Sequence, residues 1–172
     1  MVYKLDPIAL LVEVDSRRYK LGDTIDATVT LMPNNDITVR KATVDLVLEE
    51  RLTEVKMGRS MDMGGAGTLQ GGHALKTTDY VPMQQSTSQK SDTYIHSSVQ
   101  FLSETIFKSG GQDKYRIELQ VKLNPPKRLA EAKERVKDAQ SSISFHWSLV
   151  VEVDVARGRN PKVQRKIDID LG

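Results

Sequence analysis

Cysteine is absent from the 172-residue chain, which removes disulfides, thiolate metal sites and a cysteine nucleophile together. A cysteine-free chain suits a reducing compartment, so a cytoplasmic location is the expectation. Aromatic residues make up only 5% of the sequence and fall mostly at apolar positions. They leave no exposed stacking platform, and no nucleic-acid partner is expected. Long apolar runs are missing too. No segment approaches the roughly 20 residues needed to cross a bilayer, so no membrane span is predicted. The short apolar stretch from Ile8 to Val12 is interrupted by Glu13 and Asp15 and does not follow a basic region, so it is not read as a signal peptide.

Net charge is small, +2 overall, but uneven. Residues 1–56 carry 8 Lys/Arg against 10 Asp/Glu, whereas residues 156–172 carry 5 against 2. The basic end could attract an acidic partner, although a solvated surface is the simpler reading.

Recognisable chemistry is equally scarce. The three histidines, His73, His96 and His146, fit no HxxxH or HExxH spacing. His146 lies on a polar strand face between Ser144 and Ser148, where solvent or a partner would meet it. The glycines near 64–67 and 71–72 lack the GxxxxGK[ST] pattern of a phosphate loop. Asp168, Asp170 and Lys166 share one face of a strand and read as charged protection of a sheet edge. No catalytic residue, metal ligand or cofactor is therefore expected, and the chain is read as no enzyme.

What the sequence has is alternation. Ile8, Leu10, Val12 and Val14 share one face of a first run. Ile25, Ala27, Val29 and Leu31 point one way in a second, against Thr24, Asp26, Thr28 and Thr30. A third run, from Ala42 to Leu52, buries Ala42, Val44, Leu46 and Leu48. Tyr115, Ile117, Leu119, Val121 and Leu123 follow in phase. Ile143, Phe145, Trp147, Leu149, Val151, Val153 and Val155 make the longest run, and Val163, Ile167, Ile169 and Leu171 the last. One polar and one apolar face per strand describes sheets covered on one side. Two such sheets face to face make an all-β, two-layer antiparallel β-sandwich of immunoglobulin-like type.

Two stretches break the pattern. Residues 56–92, rich in Gly, Met, Ser, Thr and Gln, read as a flexible loop insertion, with room for short strands near Ala74–Val81. Residues 128–140 place Leu129, Ala132, Val136 and Ala139 at helical spacing, predicting a short helical insertion at about 127–140. With these insertions, residues 1–172 are read as one domain.

Tyr19-Lys20-Leu21-Gly22-Asp23-Thr24-Ile25 opening a strand, followed by the run through Val39, Ala42, Val44 and Leu46, resembles the start of an arrestin-like lobe. Tyr115–Leu119, the corner Asn124-Pro125-Pro126 and the long run from Ser144 to Val155 are similar to its later part. The nearest likeness is to the bacterial and archaeal arrestin-like group that includes the sporulation-control proteins. Arrestins carry two lobes, and this chain has room for one.

The resemblance implies a non-enzymatic scaffold or interaction module that binds a protein partner through loops and sheet edges. The loop after the Ala42–Leu52 run is similar in position to the arrestin loop that engages receptors, and the resemblance thereby makes Met57, Met61 and Met63 the candidate partner contacts. An exposed edge would also offer a route to a homodimer by strand addition. Two other readings fit the architecture. A carbohydrate- or surface-binding sandwich would want exposed aromatics or a calcium loop. A small jelly-roll metalloenzyme would want a His/carboxylate set converging from several strands.

Overall fold

Side chains that alternate between apolar and polar can be satisfied only if each strand finds neighbours that hold the same phase. A computed structural model describes residues 7–57, 85–127, 129, 131, 132, 136 and 141–171, and in it nine strands meet that condition. They are β1 (Ile8–Val14), β2 (Arg18–Lys20), β3 (Thr24–Pro33), β4 (Ile37–Met57), β5 (Gln85–Leu102), β6 (Thr105–Phe107), β7 (Asp113–Gln120), β8 (Ser141–Val155) and β9 (Lys162–Asp170). A three-stranded sheet has the order β1-β3-β7. The larger sheet runs β2-β9-β8-β4-β5, with β6 also paired to β4. All pairings are antiparallel except β2 with β9.

The core lies between the two sheets and uses the inward positions anticipated from alternation. Ile25, Val29 and Leu31 of β3 and Leu119 of β7 are fully buried, as are Val44, Leu46 and Leu48 of β4 and Leu149 and Val151 of β8. Trp147 lies within the same cluster. The fold is the expected all-β sandwich. Between β7 and β8, Lys127, Leu129, Glu131 and Ala132 are helical. The Val136 amide donates to the Ala132 carbonyl at 3.2 Å.

Three details depart from the pattern read in the sequence. Lys56 and Met57 belong to β4, and residues 85–92 belong to β5, so the stretch read as a loop is strand at both ends. The Ala74–Val81 region lies outside the described residues. Asp168 and Asp170 do not guard an open edge, because β2 pairs in parallel with β9 and sets Arg18 opposite Asp168 and Lys20 opposite Asp170. Leu123 points outward and is 72% exposed, because β7 ends at Gln120 and the chain turns over Gly22.

That turn is a close backbone approach. The Gly22 amide donates to the Val121 carbonyl at 2.8 Å, and Val121 returns a bond of the same length to the Asp23 carbonyl. Gly22 adopts φ +90°, and a Cβ there would stand 2.7 Å from Leu123 Cδ2. Only glycine adopts this conformation cheaply. We expect Gly22→Ala to lower stability by about 1–2 kcal/mol, and Leu46→Ala, which opens a cavity between the sheets, by about 2–5 kcal/mol. Urea denaturation of the two variants beside the parent chain checks both values and their order.

Candidate protein-interaction surface

β5 is an 18-residue strand whose residues 85–93 are all Ser, Thr, Gln, Lys or Asp, followed by Tyr94, an exposed Ile95 and His96, with an apolar end at Val99, Phe101 and Leu102. It pairs with β4 from Ala42↔Leu102 to Met57↔Gln85. Among the described residues no strand lies beyond it. Residues 86–91 are all exposed. A row of unpaired main-chain donors and acceptors of this length is a template for a further strand.

Two register shifts divide β5. Val47 faces Ile95 while Leu46 faces Ser97, and Thr43 faces Gln100 while Ala42 faces Leu102. His96 and Phe101 are therefore the extra residues of two bulges, each of which bends the strand and reverses its side-chain phase. Phe101 packs on Tyr115 of β7, with ring centroids 5.4 Å apart. His96 turns into the protein and is only 6% exposed. Its ring meets Trp147 edge-on at 5.2 Å, and its Nε2 accepts the Lys122 amide at 3.0 Å. One imidazole thus ties the large sheet to the chain leaving β7. Burial, followed by the nearby Lys122 charge, holds the His96 pKa below its ordinary value of 6.5.

The outer face of β4 and β8 carries a second polar group. Glu49 accepts from Arg51 Nε at 2.8 Å and Nη2 at 3.3 Å, and from the Ser91 hydroxyl at 3.0 Å. The Arg51 bonds first, then Ser91, lower the Glu49 pKa. His146 lies opposite Glu49 in the β4–β8 ladder, at 3.5 Å from the Ser144 hydroxyl. Serine, histidine and glutamate here do not form a relay. The Ser144 contact is long and exposed, and Glu49 is already engaged by Arg51 and Ser91. The arrangement holds fixed charges on a sheet face.

A groove of about 650 Å³ lies where the end of β1 and the segment into β2 meet β9. Arg17, Arg18 and Arg165 line it together with Glu13, Asp15 and Asp168. Arg17 also covers the Tyr19 ring at 4.7 Å and donates to the Thr24 carbonyl at 3.2 Å. The basic excess of residues 156–172 is thus interleaved with acids, which suits a mixed protein surface better than a polyanion. Among the described residues no three His, Cys, Asp or Glu side chains converge to hold a metal ion. No helix in them is long and apolar enough to cross a membrane.

Of the methionines singled out in the sequence, Met57 closes β4 opposite Gln85, whereas Met61 and Met63 lie outside the described residues, as does His73. The edge of β5 was missed. The signal that could have found it is an unbroken stretch from 85 to 102 with neither Pro nor Gly and with Thr at 87 and 93.

No protein-family model matches the chain, and no curated protein sequence does. The crystal structure of Spo0M, a sporulation control protein from Bacillus subtilis, is similar to it with a TM-score of 0.56 at 9% identity. The match covers 98% of this chain and 51% of that one, so this chain spans about half of the solved structure. The likeness is one of fold, and the fold is an arrestin-type β-sandwich.

The buried imidazole generates a pH dependence whose sign is set by linkage. Between the depressed folded pKa of His96 and 6.5, the unfolded chain binds more protons than the folded one. The His96 contribution is therefore fully present above about pH 6.5 and is lost as pH falls below it. We expect denaturation midpoints to drop from pH 7.5 to 5.5, with Trp147 emission changing over the same range. His96→Gln, which keeps an acceptor for the Lys122 amide, should flatten both profiles.

Proposed function

We propose that the chain is a non-enzymatic interaction or scaffold module of arrestin type, which binds a protein partner through the β5 edge and the adjoining end of the β4–β5 hairpin. The observation that carries this reading is the length and composition of β5: main-chain groups available along an edge, with mostly polar side chains and one exposed apolar one, Ile95. Recognition by strand addition draws affinity from the main chain and specificity from alternate side chains.

Met57 and Gln85 are the last paired residues of the β4–β5 hairpin, which supports a part for Met57 at the same surface. In this reading Met57, Met61 and Met63 are adaptable apolar contacts for the partner. The cysteine-free composition supports work in the reducing cytoplasm. No cofactor has a part in this activity.

The test is affinity capture from the source organism followed by mass spectrometry, with three baits. The parent chain should recover a specific protein. A Gln89→Lys/Ile95→Lys variant, which puts charges on the outer face of the edge, should reduce recovery by tenfold or more, because edge lysines oppose strand addition. Deleting residues 58–72 should reduce it as well. Equal recovery with all three baits would reject the edge and the methionines as the binding surface.

A further inference from the structure

The reading of β5 as an interaction edge leaves the occupant unnamed, and the charges on the strand narrow it. From Gln85 to Leu102 the only Lys, Arg, Asp or Glu residues are Lys90 and Asp92. They are two apart and so share one face of the strand, with Nζ 3.9 Å from the carboxylate in the same chain. Their side chains are 75% and 40% exposed.

Opposite charges two residues apart are self-complementary under two-fold symmetry. If a second copy of β5 lies antiparallel with Ser91 opposite Ser91, each Lys90 faces the Asp92 of the other chain, twice over. Gln89 then faces Thr93, Ser88 faces Tyr94, and Thr87 faces Ile95. Centring the pair on Lys90 or on Asp92 sets like charges directly opposite, which is destabilising. The bulge at His96 ends the regular ladder immediately after Ile95, so the register centred on Ser91 uses the regular run from Thr87 to Ile95 without crossing it.

Sheet edges are ordinarily defended by bulges, prolines and charges, lysine above all, and an edge lysine ceases to oppose pairing only where the added strand sets an acid against it. Here both bulges lie in the second half of β5, no proline interrupts it, and the first half carries a matched pair.

We propose that the occupant of the β5 edge is a second copy of this chain, added antiparallel about a two-fold axis at Ser91, with reciprocal Lys90–Asp92 pairs setting the register. The proposal rests on the interaction-edge reading and is narrower than it. The assembly is an isologous dimer in which the large sheet continues through both protomers.

Sedimentation equilibrium of the purified chain, alone and over a range from micromolar to millimolar, is the test. The mass should rise from the 19.3 kDa of one chain to twice that value. Lys90→Asp and Asp92→Lys should each weaken self-association by about tenfold or more, since either change puts two like-charge pairs in the interface. An equimolar mixture of the two variants should regain the dimer, because each then meets its complement, and the double exchange K90D/D92K should regain it alone. Circular dichroism matching the parent establishes that each variant is folded. A monomer at every concentration, or a dimer indifferent to the single exchanges, overturns the proposal. So does a mixture that fails to recover. If the chain stays monomeric while a captured protein protects the β5 amides from hydrogen exchange, the second copy is excluded and the interaction edge stands.

Discussion

The constraint on which the structure turns is the phase of β4. This strand of 21 residues is paired along one side with β5 and β6 and along the other with β8. Ala42, Val44, Leu46 and Leu48 form its inner face and are fully buried. Asp45, Glu49 and Arg51 lie on the other face, where Ser98 donates to Asp45 and Arg51 to Glu49. A slip of one residue would carry those charges between the sheets and the apolar row into water. Each neighbouring strand must accept the phase that β4 imposes, and the registers of the large sheet are held by it.

How much of this was legible in the sequence depended on which strands are covered on one face. β1, β3, β4, β7 and β9 bury mainly one face, as does β8 apart from its doubly buried middle at Ser148 and Val150, and their alternation identified them directly. β5 hid for a physical reason. It lies at a sheet edge where both faces of its first half meet water, so burial left no apolar period. In its second half the extra residues at His96 and Phe101 each reverse the phase, and an alternating pattern read across them cancels itself. β2 and β6 have three residues each, too few for a period of two to register. The side-chain cluster around Glu49 was invisible because it joins residues 42 positions apart. The contact of His96 with Lys122 depends on a bulge that composition does not announce.

The surface available for function has the same origin. The fold closes its core mainly with aliphatic side chains, buries Thr30, Glu50, His96 and Ser148 among them, and leaves most other polar groups on the surface or along an edge. Glu49 is held by Arg51 and Ser91, Asp36 by Lys108 and the Ser109 amide, and the groove beside β2 mixes both signs. Such a molecule offers shape, main-chain hydrogen bonds and fixed charge. Those are the means by which one protein recognises another.

The parallel pairing of β2 with β9 joins Arg18 to Asp168 and Tyr19 to Ile169, residues 150 positions apart in the chain. Tyr19, fully buried at this seam, cannot be covered by the large sheet until β9 exists. During synthesis the small sheet and the middle of the large one can begin to assemble, but one flank stays open until the ribosome has passed residue 170. Closure therefore falls late, after a loop spanning most of the chain has been drawn together, and topologies of this kind acquire their native state slowly. Over that interval the nascent protein depends on whatever shields its apolar surface in the cell.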